Sequence, residues 1–465
     1  MNILLDAYFD HNFGDDLFIS IVTRRYAEHR FFAFIGGCEA SVCQWAGRFP
    51  NLVVLPKCPT LWQTGMFDAY LMIGGDVLPD GGDYTGSYER RLQFMRTVKA
   101  CGGYVAMLGF NLYHQYSPKT EGDLREMLRL ADDVVPRDRW SFEYLRGIAN
   151  EPKIRLGADM AFCLPRPCGG KSAVGHRLGI SVRKKLACAA ETDQAYQQTM
   201  AGLADAYLER YADAEIVFLA LSYGSSDDAR TAAEIQNRMR QRDRTRIAAY
   251  CGDPESYIGE FEACHAIVAT RFHAFVMAAM LRKPLVAVPY EVKVTHVLDE
   301  IGYDGPRIPY GEAPEDLCRI AEELDVPRYH MEKLEQYAAR ANTLFDGIDR
   351  WQKETAWRRV PDTGSKVIRD CGIKEQLAAE KKQMKEALEH ETTLYLAEWH
   401  QRLYLETCLN QERTAWLAQQ EQYQREQAEL LDARKCLEQE NEQLRQSVRD
   451  LQEKLCFAAE NALQR

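Results

Sequence analysis

The chain has 465 residues, 46% hydrophobic and 27% charged, and its 58 Lys and Arg against 69 Asp and Glu leave a net charge of −11. That length exceeds what one hydrophobic core usually serves, so two domains plus additional material are expected. The negative balance excludes nucleic acid or an anionic membrane as a bulk electrostatic partner, although a local cluster of Arg and Lys can still hold a small anion.

At the amino terminus, MNILLDAYFD carries no basic stretch and no long apolar run, so no signal peptide is expected. No run of about 18 apolar residues follows, which removes a spanning helix. Short apolar runs then predict strands at Ile3–Ala7, Phe31–Phe34, Leu52–Leu55, Tyr70–Ile73, Tyr104–Leu108 and Asp133–Val135. A second series follows at Leu178–Val182, Glu215–Leu221, Arg246–Ala249, Ala266–Thr270 and Pro284–Val288. Amphipathic patterns between them predict helices such as Tyr88–Ala100, Gly122–Leu130, Asp193–Arg210 and Asp228–Gln241. Strands alternating with helices imply βαβ units and parallel sheets.

The fold class is therefore α/β, with two doubly wound Rossmann-like domains facing across a cleft. Pro165, Pro167, Gly169 and Gly170 mark the break, giving domains at 1–166 and 171–352, the second holding most of the site. A linker is expected at 359–372. From Ile373 to Arg465 there is no Gly or Pro, and the composition predicts a long helix, about 140 Å if unbroken. Leu409, Trp416, Tyr423, Leu430, Leu437, Leu444 and Leu451 recur every seven residues, one seam of a coiled coil. The companion seam is polar, so residues 373–465 read as a weak coiled coil able to join copies of the chain, or as a solvated helix packed on its own chain.

The 14 cysteines include no C-x-x-C pair and no His spacing suited to zinc. Cys38 and Cys43, the close pair, read as free core thiols, and a cytoplasmic location is expected. No metal site is expected.

Charged and small residues gather where strands end. Arg271 and His273 lie in the turn between Ala266–Thr270 and an apolar helix, close to the positive end of that helix's dipole. A cation there is unfavourable unless an anion joins it. Lys293 lies in the next such turn, and in doubly wound folds ligands collect at these carboxyl ends. The alternative for Arg271 is a structural pair with a carboxylate such as Glu291, and for His273 a core position. Arg137 follows Asp133–Val135, with Asp138 as the expected helix cap. Asn12, Gly14, Asp15 and Asp16 follow the first strand, where Gly14 can let the backbone approach a ligand or adopt a positive φ, and either Asp can be a cap. Gly74, Gly75 and Asp76 follow the fourth strand, Gly109 the fifth, and Arg183 the strand Leu178–Val182. No GxGxxG or Walker A sequence is present.

Taken in order, NFGDD, IGGD, VPRDRWS, ISVR and TRFHA followed by P-x-x-x-x-P-Y-x-x-K resemble the polysaccharide pyruvyl transferase family over about residues 2–302. Many relatives have GGG where this chain has Gly74-Gly75-Asp76, and residues 373–465 lie outside the family core. The resemblance implies a glycosyltransferase-B-like fold. It also implies transfer of a pyruvyl group from phosphoenolpyruvate to two hydroxyls of a saccharide or lipid-linked saccharide, leaving a cyclic ketal on a cell-surface polysaccharide or its precursor. Its functional Arg, His and Lys positions fall on Arg137, His273 and Lys293, with Arg271 beside them.

Phosphoenolpyruvate, a donor substrate that calls for no separate cofactor, carries a carboxylate and a phosphate. Arg271, Lys293 and Arg137 suit these, with Arg183, Asn12, Gly14, Asp15, Gly74 and Gly75 as further substrate contacts. His273, at an ordinary pKa of about 6.5, suits the general acid that protonates the methylene carbon. The alternatives are a sugar-nucleotide glycosyltransferase of the same architecture and a non-catalytic coiled-coil scaffold.

Overall fold

The computed structural model describes residues 1–9, 11–34, 47–55, 58–80, 88–112, 116–164, 175–184, 188–223, 227–358 and 446. Cys38, Cys43, the Pro165–Lys171 break, the 359–372 linker and the heptads of 373–465 lie outside them.

Two parallel sheets with flanking helices make an α/β fold. The first sheet contains β1 (Asn2–Asp6), β2 (Arg30–Phe34), β3 (Leu52–Leu55), β4 (Ala69–Ile73), β5 (Tyr104–Leu108) and β6 (Asp133–Val135), in the order β3-β2-β1-β4-β5-β6. The second contains β7 (Arg177–Ser181), β8 (Glu215–Ala220), β9 (Thr245–Ala249), β10 (Ala266–Ala269) and β11 (Leu285–Ala287), in the order β11-β10-β7-β8-β9. Central strands such as AYLMI of β4 and YVAML of β5 are buried throughout, which is why they read as unbroken apolar runs. Leu4 of β1 registers with Phe32 of β2 and Tyr70 of β4.

Strand order reverses once in each sheet, between β1 and β4 in the first and between β7 and β10 in the second. The loops leaving those four strands carry Asn12–Asp16, Gly74–Asp76, Arg183, and Arg271 with His273. These are the switch points where a doubly wound sheet opens a crevice.

Between the sheets lie α1 (Phe13–Arg25) and, from the second half, the helices Pro254–Ala263 and Phe272–Met280, here α2 and α3. Phe13 packs on Tyr250, Tyr257 and Phe261, so one apolar cluster runs from Ile3 and Leu5 through to Ile267 and Phe275. Backbone also crosses: Phe13 N–H donates to the Leu221 carbonyl at 2.9 Å, and Asn12 forms an antiparallel bridge with Ser222. The last described helix, α4 (Asp346–Arg358), returns to the first sheet. Its Trp351 stacks on Tyr104 with centroids 4.9 Å apart, and Asp349 accepts from the Tyr26 hydroxyl at 2.7 Å.

The predicted helix Asp228–Gln241 ends at Gln236. The N–H groups of Arg238 and Met239 close tighter turns on the Ile235 and Gln236 carbonyls, and those of Arg240 and Gln241 donate to the buried Asp205 carboxylate, at 3.0 and 3.2 Å, so the helical ladder does not resume. Among the described residues no helix is long and apolar enough to cross a membrane.

Candidate active site

Asn12, in extended conformation, caps α1 by accepting from the Gly14 N–H at 3.0 Å. Neither expected Asp does this. Asp16 is buried and accepts from the Tyr250 hydroxyl at 2.6 Å, while Asp15 sits partly exposed in the first turn. Gly14 is required for a different reason from either expected one. A Cβ on it would lie 1.7 Å from His273 Nδ1, so it is the histidine ring, reaching over from the second half, that needs the bare backbone. Phe18 meets the same ring edge-on at 5.1 Å.

The loop after β4 repeats this device. Gly74 has φ of 124°, in the region that favours glycine. A Cβ on Gly75 would lie 2.8 Å from both terminal nitrogens of Arg137. The buried Arg137 guanidinium donates to Asp159 Oδ2 at 3.1 Å and to Asn111 Oδ1 at 2.5 Å, and lies 3.9 Å over the Phe272 ring. Burial opposes its charge, yet Asp159 and Asp76 outweigh that and keep it protonated. Gly109, with φ of 69°, turns the chain that delivers Asn111. Asp138 caps its helix as expected, accepting from the Ser141 N–H at 2.8 Å.

From the second half, Arg271 occupies the N-cap position of α3 and donates through Nε to Asp228 Oδ2 at 2.9 Å, with a second bond from Nη2 to Oδ1. The electrostatic conflict of a cation at a helix start is thus relieved by Asp228, not by Glu291. Glu291 instead pairs with Lys293 at 2.7 Å, and Lys293 Nζ also contacts Asp76 of the opposite half. Burial disfavours ionisation of Asp76, but Lys293, Arg137 and hydrogen bonding prevail and lower its pKa to about 2. Arg183 donates to the Tyr290 hydroxyl at 2.5 Å and lies 4.3 Å over that ring.

His273 is buried, with Nε2 3.9 Å from Asp159 Oδ2, too far for a hydrogen bond. Burial lowers its pKa to about 4, with Arg137 and Lys293 adding to the effect and Asp159 and Asp76 opposing it. The surroundings thus move His273 away from its ordinary value near 6.5 and favour the uncharged ring.

The structure thus joins Arg137, His273, Lys293, Gly14 and Gly75 in one cluster, with Arg271 and Arg183 along its second-half side. Four cations, Arg137, Arg183, Arg271 and Lys293, face four carboxylates, Asp76, Asp159, Asp228 and Glu291. Among the described residues only Arg183 of these cations has no carboxylate within 4.0 Å; its neighbour is a tyrosine. Sequence reasoning missed Asp159, Asp228 and Asn111. Asp227 takes the cap of its helix, accepting from the Arg230 N–H at 2.9 Å, and a second Asp beside a filled cap was the available signal for Asp228. Among the described residues no group of three His, Cys, Asp or Glu side chains is arranged to hold a metal ion.

Among solved structures, the chain is similar to Anabaena HepE in complex with UDP and glucose, at 13% identity and a TM-score of 0.44, covering 77% of this chain and 99% of that one. It is also similar to a UDP-GlcNAc 2-epimerase from Methanocaldococcus jannaschii, at 13% identity and a TM-score of 0.47, covering 76% and 99%. E. coli ADP-heptose LPS heptosyltransferase II follows at 14% identity and a TM-score of 0.38, covering 74% and 100%. All three are distant likenesses. No curated protein matches the sequence. The polysaccharide pyruvyl transferase family matches residues 9–292, a span that holds the motifs from NFGDD to TRFHA and nearly all of the clustered site. With that match running over more than half of its length, the chain belongs to the polysaccharide pyruvyl transferase family.

Proposed function

We propose that this transferase moves the pyruvyl group of phosphoenolpyruvate onto two hydroxyls of a saccharide, forming a cyclic ketal and releasing phosphate. The observation that carries the reading is the convergence of Arg137 from the first half with His273 and Lys293 from the second. In the reaction the methylene carbon gains a proton and one hydroxyl oxygen bonds to the adjacent carbon. The second hydroxyl oxygen then displaces phosphate, and the two hydroxyl protons are released. Arg183, Lys293 and Arg137 suit the donor's carboxylate and phosphate.

His273 is the acid in this reading, but it begins neutral. A dianion or trianion set beside it raises its pKa, so the donor's own charge draws in the proton that the step consumes. Copies of the chain joining through the heptads of 373–465 form a separate part of the proposal, tested by comparing the light-scattering mass of the full chain with that of a chain ending at Arg358.

Thermal unfolding with phosphoenolpyruvate and with nucleotide sugars tests the donor. Phosphoenolpyruvate at about 100 times its dissociation constant stabilises the protein by about 2.7 kcal/mol, and nucleotide sugars do not. Stabilisation by nucleotide sugars alone replaces this reading with a glycosyltransferase.

A further inference from the structure

Among the described residues, three buried polar atoms in the cluster make no hydrogen bond: His273 Nε2, Arg183 Nε and Asp76 Oδ1. They are electrostatic neighbours, Asp76 acting on both His273 and Arg183. Buried polar atoms are nearly always paired, so three together mark the place of a ligand. Their chemistry specifies it. Arg183 Nε can only donate, and His273 Nε2 can accept, or donate once protonated. Asp76, held ionised, can only accept.

A fully ionised phosphoenolpyruvate presents oxygen acceptors alone. It can meet Arg183 and a protonated His273, but at Asp76 Oδ1 it would set like charge on like charge. A hydroxyl has the proton that Oδ1 lacks. We infer that Asp76 accepts a hydrogen bond from a hydroxyl of the saccharide acceptor and so helps select which diol is presented to the donor. This inference rests on the proposed pyruvyl transfer to a saccharide.

The placement fits. Asp76 leaves β4 at the first sheet's switch point, and its Oδ2 is held by Lys293 from the other half, which fixes the carboxylate and leaves Oδ1 turned elsewhere. The Asn111 amide lies near enough to favour the ionised form, yet Oδ1 has no hydrogen bond of ordinary geometry, and Arg137 Nη2 stands 4.0 Å from it. Two hydroxyls of one sugar must reach the same carbon, so anchoring one of them constrains the other.

Full-length wild type, Asp76→Asn and Asp76→Glu separate the roles. Saturation-transfer NMR reads binding to a panel of pyranosides and disaccharides carrying 1,2- and 1,3-diols, and calorimetry reads phosphoenolpyruvate. Wild type binds a saccharide of the panel, Asp76→Asn weakens that affinity by about tenfold or more, and phosphoenolpyruvate affinity stays within a few-fold or tightens as a like charge is removed. Asp76→Glu keeps the charge for Lys293 but moves it by one methylene, and it too lowers saccharide affinity. Equal saccharide affinity in the variants overturns the inference, as does wild type that binds no saccharide of the panel. Loss of phosphoenolpyruvate in parallel with Lys293→Ala also overturns it, making Asp76 a support for that lysine alone. If saccharide binding depends on Asp76 while wild type ignores phosphoenolpyruvate, the donor reading falls, taking the choice of diol for that donor with it, and only the hydroxyl contact at Asp76 stands.

Discussion

The two switch points of this molecule do opposite things. At the first sheet's switch point two glycines withdraw: Gly14 and Gly75 present bare backbone, and the imidazole of His273 and the guanidinium of Arg137, which leaves that sheet's own edge strand β6, lie against them. The loops of the second sheet advance, supplying His273, Arg271, Arg183 and Lys293 from one strand end after another. A site of this kind is set by the fit of a side chain on a missing one. Its precision therefore depends on the small residues as much as on the charged ones.

Filling the receiving side should have the largest effect. Gly14→Ala sets a methyl group where the His273 ring lies, so the ring must leave its position. Turnover should fall by about 10²–10⁴, as for removal of a general acid, with the thermal transition retained. A phosphate-release assay run beside a melting curve measures both, and turnover within tenfold of wild type would show that the ring has freedom the packing denies it.

Emptying the advancing side is predicted to cost stability before it costs binding. Arg271→Ala leaves the buried Asp228 carboxylate without its cation, a loss of about 3–5 kcal/mol in urea unfolding. The double variant Arg271→Met with Asp228→Asn should recover most of it, because no buried charge then stands alone and the amide oxygen still accepts from the Leu221 and Ser222 N–H groups.

The third effect is on pH dependence. His273 has a folded pKa of about 4 against roughly 6.5 unfolded, so the unfolded chain binds the proton first as pH falls. Stability on this account is full above about pH 6.5 and declines towards pH 4, by up to about 3 kcal/mol. His273→Gln should flatten that part of the stability profile. An unchanged profile in the variant would show that the buried ring does not titrate as its surroundings require.

The smallest effect concerns the cation without a carboxylate. Arg183→Ala strands no buried acid, so its cost should appear in donor affinity, about 10- to 150-fold by calorimetry, with little change in unfolding. If Arg183→Ala destabilises as much as Arg271→Ala, the contrast between the two arginines disappears.

Strands were legible because both faces are buried, and an unbroken apolar run such as YVAML then has few alternatives. The site's loops were legible for a related reason: glycine and charge at the carboxyl end of strand after strand is a pattern the chain carries locally. Asp138 could be assigned as a cap because its partner is three residues away. Partners fixed by tertiary packing were out of reach. Arg271 finds Asp228 across 43 residues and Arg137 finds Asp159 across 22; beyond the filled cap beside Asp228, nothing local says which arginine each carboxylate serves, or that Glu291 goes to Lys293. The titration of His273 was hidden too, since the burial that lowers it comes from tertiary packing such as Phe18 of α1 against the ring.

The bridge between Asn12 and Ser222, with the hydrogen bond from Phe13 to Leu221, crosses from one half to the other two residues from the glycine that receives His273. Any swing of the halves that keeps these bonds must turn about them, as a door turns about its pin. Points near a pin travel least. The histidine's seat is then the steadiest part of the crevice while its far margin sweeps widest, so a long ligand can be admitted at that margin without the ring losing its place.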